Sequence, residues 1–479
     1  MSTARTISAI TAALAVAVSG CSPASVPASS TPAADGADVT LMDTGPYATI
    51  PSPPFGTAGD SGKSDGSELE AQRIAAYTVA PWQADTALTT PGWRLNVIQM
   101  GSLYRTELFP SPITPDAVSL KLVDDSLDTG ALTEHRMVAG FSTYRASGYD
   151  DLPPTSARYK QMQSALQTLV LAFPNQSAAT AAADDMAANV TGKPLEIPGH
   201  PDARAISDEV PGPETFEPAA DGELVFAPIG VSSTVVHSFT TVGAVVLIEI
   251  AQAPNQDGSF YDGNSFTPDL KWLVASALSK QKSLIKDYVP TPADKLADLP
   301  MDPSGWLLSR TLIDLNDVSA LGGVWKPKAW LHFEDDPVTA ATLFADAGVD
   351  WIAQGTATVY QARSAEAAEI MLEKMVGALS AMPSVEAGSA VPGLPQARCF
   401  RRPTYARLPQ NVAEYQAAMR DAGPNISAAP PGSSASWLRV GWPFKCAAAA
   451  DRWVFTVYAE SMSDAAQRIS AQYRILARR

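Results

Sequence analysis

The sequence predicts an α+β fold of two related, duplicated domains, each an antiparallel sheet with helices packed on one face. A repeated phrase and an alternation of strand and helix patterns point to this fold, and so do Pro-rich loops between the strands. The phrase Pro-Gly-x-Pro-x-Ala-Arg ends at Arg204 in the first half and at Arg398 in the second. A parallel sheet would need a helix at nearly every crossover, and the Pro-rich stretches 205–235 and 399–444 show none.

The repeated phrase belongs to a longer series of matching elements. In each half an apolar run leads to a Ser-Ala pair, an alanine-rich helix, the phrase, an extended run and a last helix. We therefore expect residues 166–288 and 356–479 to superpose as copies of one unit. Chance similarity of two Pro-Gly turns is the alternative, and the shared order of elements favours duplication.

Periodicity places the individual elements. Apolar residues spaced three and four apart predict a helix over Met462–Leu476 and another over Ala365–Leu379. Ser461 and Ser364 precede these helices as N-terminal caps. Runs rich in aromatic and β-branched residues predict strands, and these runs are 242–250, 437–440 and 452–458.

The chain begins with the pattern of a bacterial lipoprotein signal. Arg5 precedes an apolar run over Ile7–Val18, and Ser19-Gly20-Cys21 completes a lipobox. The run is shorter than the roughly 20 apolar residues that span a membrane, which argues against an uncleaved transmembrane helix. We expect the signal peptide, residues 1–20, to be removed and Cys21 to be acylated.

Composition divides the remainder of the chain. Residues 21–37 are rich in Pro, Ser and Ala, have too little apolar bulk to fold, and predict a tether. Residues 38–300 are expected to form an N-terminal α+β domain and residues 301–479 a C-terminal one. The hydrophobic fraction of 46% against 18% charged residues is typical of globular domains.

The net charge of −16 limits the classes of partner. An acidic surface repels phosphate backbones, so the sequence predicts no nucleic-acid binding. Attraction to anionic lipid headgroups is disfavoured for the same reason. Attachment to the cell membrane is therefore expected through the lipid anchor, with the protein on the extracytoplasmic face.

The stretch from Val39 to Tyr47, with its Asp43-Thr-Gly45-Pro core, and the later Leu69-Glu-Ala71 carry a family resemblance. They resemble the opening of a cell-envelope lipoprotein family of mycobacteria, nocardiae and related actinobacteria. The resemblance runs over most of the mature chain and rests on structural Gly, Pro and Tyr positions. It implies an envelope location and this architecture. The family has no assigned activity, so the resemblance implies no site residues.

The sequence contains no recognisable catalytic motif. It has no Gly-x-Ser-x-Gly elbow between a strand and a helix and no Gly-x-Gly-x-x-Gly. Thr191-Gly-Lys193-Pro lacks the upstream glycine and the Ser or Thr of a phosphate-binding loop. The four histidines, at 135, 200, 237 and 332, show no metal-ligand spacing, and a structural zinc site would also lack cysteines. We therefore expect no catalytic, cofactor-binding or metal-binding residues.

Two acidic clusters contain ligand types that calcium prefers. Near Glu334, we expect Asp335 or Asp336 to cap the helix that follows. The loop 255–264 around Asp257 lacks EF-hand spacing, so a solvated loop is expected there. Whether either cluster binds a cation stays open at this point.

Single histidines and tryptophans are also expected to be structural. His200 lies in the first Pro-Gly turn and is expected to be solvated. The tryptophans between the two copies could line an apolar pocket or belong to the core and domain interface, and these residues are Trp306, Trp325, Trp330 and Trp351.

Cys399 and Cys446 are expected to form a disulfide. They are the even pair that remains once Cys21 is acylated, and exported domains face an oxidising compartment. The matched positions of the first copy are Ala205 and Ser238, so both cysteines are missing there together. Free buried cysteines are the alternative.

These observations predict a non-enzymatic module at the cell envelope. Its expected ligand is a lipid, a small molecule or an envelope protein. An envelope hydrolase without a recognisable motif and a structural envelope scaffold are the alternatives.

Overall fold

The computed structural model describes residues 36–61, 66–91, 111–113, 115, 129–147, 164–210, 233–254, 269–314, 322–334, 336–382, 385–401, 405–407, 437–439 and 443–477. The lipobox, Cys21 and all but the last two residues of the expected tether lie outside these ranges. Within these ranges, no helix is both long and apolar enough to cross a membrane.

The first sheet is antiparallel and lies in the N-terminal half. It consists of β1 (Thr90–Pro91), β2 (Ser111–Ile113), β3 (Ala139–Ala146), β4 (Ala165–Ala172), β5 (Lys193–Ile197), β6 (His200–Val210), β7 (Ser233–Val242) and β8 (Val245–Pro254). Their order across the sheet is β1–β3–β4–β8–β7–β6–β5, and β2 also pairs with β3. All residues of β3 and β4 are buried, so both faces of the sheet are covered at its centre.

The second sheet is also antiparallel. It consists of β9 (Gly323–Trp325), β10 (Trp351–Gln354), β11 (Ala357–Gln361), β12 (Glu386–Ala387), β13 (Arg398–Arg401), β16 (Phe444–Ala450) and β17 (Trp453–Ala459). The order across this sheet is β12–β13–β16–β17–β11–β10–β9. Between β13 and β16 in the chain, β14 (Tyr405–Arg407) and β15 (Trp437–Arg439) pair as a separate ribbon.

Most of the longer helices begin at a polar cap. The helices are α1 (Ser67–Ala75), α2 (Pro81–Ala84), α3 (Thr129–Glu134), α4 (Gln176–Asn189), α5 (Leu270–Ile285), α6 (Pro327–Trp330), α7 (Pro337–Ala347), α8 (Ala365–Ala381) and α9 (Met462–Ala477). Asn175 and Asp269 accept a hydrogen bond from a backbone N–H in the first turns of α4 and α5. Ser364 and Ser461 cap α8 and α9 in the same way, as the sequence predicts.

The two sheets repeat one unit, which confirms the predicted duplicated α+β fold. In the first half the elements come in the order β4, α4, β5, β6, β7, β8 and α5. In the second half the order is β11, α8, β12, β13, β16, β17 and α9, with the β14–β15 ribbon inserted between β13 and β16. The order β5–β6–β7–β8–β4 in the first sheet recurs as β12–β13–β16–β17–β11 in the second. The equivalent strands therefore occupy equivalent places.

The register extends this equivalence to single residues. Ala205 pairs with Ser238 at the position where Cys399 pairs with Cys446. The two cysteines form a disulfide between neighbouring strands, with Cα atoms 4.0 Å apart. The structure thus contains the predicted bond, and the first copy has a small residue at each matched position.

Reduction of the disulfide is expected to lower the free energy of unfolding by ~4 kcal/mol, because a loop of nearly fifty residues regains freedom in the unfolded chain. Calorimetry with and without reductant should show a lower melting temperature. A variant with Cys399→Ala and Cys446→Ser, the residues of the first copy, should melt at the lowered temperature, and reductant should not change its melting temperature. A wild-type melting temperature that stays constant while both thiols become alkylatable would contradict this.

The helices lie on both faces of each sheet, which corrects the prediction of a single covered face. Ile248 of β8 packs with Met186 of α4, whereas Ala251, on the opposite face of the same strand, packs with Val274 of α5. In the second sheet α8 and α9 cover opposite faces in the same manner. Each copy is therefore a three-layer arrangement of helix, sheet and helix.

One hydrophobic core extends through both domains. It contains Ile74 and Phe141 from the first domain and Trp325 from the second. The Phe333 ring packs edge-on against Phe141 and Trp325, with centroids 6.1 Å and 5.0 Å apart. Because this core is shared, we expect the two domains to stabilise each other.

The start of the folded chain packs against the second domain. The N–H of Asp38 donates to the carbonyl of Gly393 over 2.8 Å. The Tyr47 hydroxyl donates to the Asp464 carboxylate over 2.5 Å, which ties this segment to α9. The sequence places residues 38–300 in the N-terminal domain, and these contacts join the first residues of that range to the second domain.

Candidate functional site

A tight turn joins β16 to β17 and presents two charged side chains. Ala450 pairs with Trp453, so the turn contains only Asp451 and Arg452. Asp451 has a φ of 51°, in the left-handed region that short hairpin turns require. Aspartate tolerates this conformation better than most residues. The turn therefore fixes Asp451 and Arg452 at the end of the sheet.

A second segment brings an arginine and a tryptophan to the same place. The carboxylate of Asp302 accepts hydrogen bonds from the N–H groups of Ser304, over 3.0 Å, and Leu308, over 2.8 Å. The side-chain amide of Gln472, on α9, donates to the carbonyl of Arg310 over 2.9 Å. These contacts hold the chain around Trp306 and Arg310 against the second domain.

The four side chains from these segments form a compact cluster. The rings of Trp306 and Trp453 meet nearly edge to face, with centroids 5.7 Å apart and planes at 71°. The guanidinium carbon of Arg310 lies 5.2 Å and 6.0 Å from the two ring centroids, and that of Arg452 lies 5.5 Å and 5.9 Å from them. These distances are typical of cation–π contacts, which restrain the long arginine side chains.

These residues line an open cleft of about 520 Å³, which is within the size range of small-molecule sites. Asp451 lines it together with the two arginines and the two tryptophans. Within the described ranges, no carboxylate forms an ion pair with Arg452. Guanidinium groups keep their charge at physiological pH and bind carboxylate or phosphate through paired N–H donors. The cleft can therefore bind an anionic group.

The charged pair in the turn that lines the cleft is specific to the second copy of the duplicated unit. In the first copy Val242 pairs with Val245, so the corresponding turn is Gly243-Ala244. Gly243 has a φ of 57° and supplies the same left-handed conformation without a side chain. The turn thus needs neither an acid nor an arginine for its backbone, so the side chains of Asp451 and Arg452 are available for another role.

A buried acid, Glu249, marks a second unusual place. Its side chain is fully buried, and neither carboxyl oxygen has a hydrogen-bond partner among the described residues. Thr168 and Ser238 flank it on the neighbouring strands. Burial raises the pKa of Glu249 to about 8, so its neutral form prevails at pH 7. The equivalent residue of the second sheet is Val457, which shows that the fold does not need this acid.

His200 is buried, which corrects the prediction of a solvated turn residue. Its Nε2 lies 2.9 Å from Ser279 Oγ and 3.2 Å from the carbonyl of Ala275, both on α5. Lys282 Nζ lies 3.2 Å from Nδ1 and 2.7 Å from Asp202. The prediction was wrong because α5 covers the turn from a distant part of the chain.

The contact between His200 and Ser279 does not form a nucleophile and its base. Lys282 carries donors only, so Nδ1 of His200 accepts from it and Nε2 bears the proton. This tautomer is inferred from the hydrogen-bond partners. A general base needs an unprotonated Nε2 facing the serine. The arrangement therefore does not support the hydrolase alternative.

The acidic cluster near Glu334 has structural roles. Asp336 caps α7, as the sequence predicts for Asp335 or Asp336, and the carboxylate of Glu334 accepts from Trp330 Nε1 over 2.7 Å. Asp335 and the loop 255–264 lie outside the described residues. In the part of the chain that is described, no group of three or more His, Cys, Asp or Glu side chains is placed to hold a metal ion.

The four tryptophans singled out from the sequence have different surroundings. Trp325 and Trp330 are buried in the interdomain core, with ring centroids 6.2 Å apart. Lys326 Nζ lies 3.4 Å from the ring centroid of Trp351. Trp306 lines the cleft, so the predicted pocket role applies to this residue, with arginines rather than apolar side chains beside it.

Two family models match the chain. The model described as the N-terminal part of a domain of unknown function, DUF7373, matches residues 57–301, which is more than half of the chain. The chain belongs to the DUF7373 family. The model for the C-terminal part of DUF7373 matches residues 307–418.

Other comparisons add little to the DUF7373 assignment. No curated protein matches this DUF7373 chain. A solved structure that matches is the crystal structure of the extracellular domain of PknH from Mycobacterium tuberculosis, with 14% sequence identity. The match covers 44% of this chain and 98% of the other, with a TM-score of 0.21. A score this low carries no inference about fold or function.

Sequence reasoning did not identify Arg310, Asp451 and Arg452 of this DUF7373 chain as site residues. Arg310 is four residues from Trp306, but the turn that completes the cleft is far away in the chain. The available signal was a difference between the two copies. Aligning their hairpin turns sets Asp451-Arg452 against Gly243-Ala244, and a charged pair in place of two small residues would have marked the turn.

Proposed function

We propose that this protein is an exported, lipid-anchored module of the cell envelope that binds an anionic ligand in the cleft and does not act as an enzyme. The observation that carries the proposal is the pair of arginines, Arg310 and Arg452, which share two tryptophan rings at one cleft. The proposed location rests on the lipobox at Cys21 and on the resemblance to envelope lipoproteins.

Charge supports an anionic ligand at this place. The whole chain has a net charge of −16, so its average surface repels anions. Among the described residues that line the cleft, two arginines stand beside one carboxylate, so the cleft is a local exception. Since the arginines are held against aromatic rings, less side-chain freedom is lost when they bind a ligand.

Replacing Arg310 and Arg452 together with alanine is expected to abolish ligand binding. The protein would be purified from its native envelope, and co-purifying molecules would be identified by mass spectrometry. We expect an anionic species with the wild type and less than a tenth of it with the double variant. Arg363→Ala, an exposed change of the same type in the same domain, serves as the control. Equal recovery from wild type and double variant, or no anionic species from the wild type, would refute the proposal.

Replacing Cys21 with alanine is expected to release the protein from membranes. Acyl chains contribute ~0.8 kcal/mol per buried methylene, so two or three chains anchor a protein stably. Detergent phase partitioning would measure the release. The matched control changes the other two cysteines, Cys399 and Cys446, to serine and should remain in the detergent phase. Persistence of Cys21→Ala in that phase would show that the anchor lies elsewhere.

A further inference from the structure

The cleft contains more hydrogen-bond donors than one carboxylate can use. Each guanidinium carries five N–H donors in a planar fork, and one fork is enough for a carboxylate. A tetrahedral phosphate presents oxygens in several directions, so it can accept from two forks at once. Arg310 and Arg452 approach the same ring pair from two separate segments of the chain, which places two forks at one cleft. This arrangement favours a phosphate group over a carboxylate.

Asp451 adds a hydrogen-bond acceptor to the cleft beside the arginine donors. Its carboxylate lines the cleft and has no ion-pair or side-chain hydrogen-bond partner among the described residues. A carboxylate accepts hydrogen bonds and repels other anions. A ligand with hydroxyl groups beside its phosphate can donate a hydrogen bond to Asp451 while its phosphate oxygens accept from the arginines.

The backbone does not explain the presence of this acid. The equivalent turn of the first copy uses Gly243 at the same left-handed position, and asparagine is equally suited to it. Asp451→Asn therefore keeps the turn and the side-chain volume and removes only the charge. This substitution separates a role in ligand selection from a role in folding.

We propose that the cleft selects a phosphorylated polyol, with Arg310 and Arg452 binding the phosphate and Asp451 accepting from a neighbouring hydroxyl. This inference rests on the proposed function and names the ligand class of the same cleft. The phosphorylated polyol can be the headgroup of a lipid or a soluble sugar phosphate, since the two share the groups that the cleft contacts.

The test is calorimetric titration of the full-length protein with four soluble probes. These probes are inositol 1-phosphate, inorganic phosphate, inositol and glucuronate. We expect inositol 1-phosphate to bind at least tenfold more tightly than any other probe. Asp451→Asn should remove its advantage over inorganic phosphate, and Arg310→Lys with Arg452→Lys should weaken both phosphates at least tenfold while keeping the charge and the fold. Arg363→Ala should bind as the wild type does.

The outcomes distinguish this inference from the proposed function. If glucuronate or inorganic phosphate binds as tightly as inositol 1-phosphate, the cleft binds anions but does not select a phosphorylated polyol. The same holds if the Asp451→Asn variant still prefers inositol 1-phosphate over inorganic phosphate. No binding of any anionic probe would overturn both. The source is then decided with the unacylated Cys21→Ala chain. Capture by vesicles containing phosphatidylinositol, but not by phosphatidylcholine vesicles, assigns a lipid headgroup, and binding of the soluble phosphate alone assigns a free sugar phosphate.

Discussion

Replacing Arg145 with methionine is expected to lower the free energy of unfolding by about 5 kcal/mol, as the sum of three charge-assisted hydrogen bonds lost from the interior. Arg145 of β3 is fully buried. It donates to the backbone carbonyls of Thr89, His332 and Glu334 over 2.6, 3.1 and 2.6 Å. Methionine retains the apolar stem and donates nothing, so three carbonyls lose a donor. Two of these carbonyls belong to the second domain, so the loss weakens the contact between the domains.

Urea denaturation followed by circular dichroism would measure this loss. Arg145→Lys keeps the charge but cannot reproduce the planar fork, so it should fall between the wild type and the methionine variant. Arg204→Met is the control, because Arg204 lies at the surface in an exposed pair with Asp184 and should change stability by no more than about 0.5 kcal/mol. A loss below about 1 kcal/mol for Arg145→Met would show that the domains are held together by their apolar core alone.

Local patterns in the sequence were sufficient for the elements and their duplication. The helix expected over Met462–Leu476 is α9, and the strand expected over 452–458 is β17. The sequence patterns did not show which faces of the sheets the helices cover. Because β4 is buried on both sides, its second half, 169–172, is a continuous apolar run, and such a run does not show which face a helix covers.

Contacts between distant parts of the chain account for the remaining differences. Tyr47 and Asp464 are 417 positions apart, so no local pattern links the start of the chain to the second domain. His200 follows a Pro-Gly turn whose composition indicates a solvated loop, and α5, which buries it, lies some 75 residues away. The sequence identified residue types and periods, and the tertiary fold decided which of them meet.

Two buried groups are expected to set opposite pH dependences of stability. Burial raises the pKa of Glu249 from 4.5 to about 8 and lowers that of His332 from 6.5 to about 4. Between pH 4.5 and 8 the folded protein keeps a proton on Glu249 that the unfolded chain releases, so stability falls as the pH rises. Between pH 6.5 and 4 the unfolded chain binds a proton on His332 that the folded protein excludes, so stability falls as the pH falls. The two slopes cancel between pH 4.5 and 6.5, and of these two groups only Glu249 lowers the stability above pH 6.5.

Replacing Glu249 with valine, the residue at the equivalent position 457, is therefore expected to stabilise the protein by about 5 kcal/mol at pH 8. Below pH 4.5 the gain should shrink to about 1–3 kcal/mol, the cost of burying a neutral polar group without a partner.

Glu249→Gln removes the same titration but keeps unpaired polar atoms. This variant should be more stable than the wild type at pH 8 and equally stable at pH 4. The midpoints of urea denaturation of the wild type and the two variants, measured at pH 4 and pH 8, would test these expectations. If the valine variant loses stability between pH 6.5 and 8 as steeply as the wild type, another group causes the loss. If the valine variant is more stable than the wild type, Glu249 lowers the stability of the first copy, whereas the second copy has valine at the equivalent position.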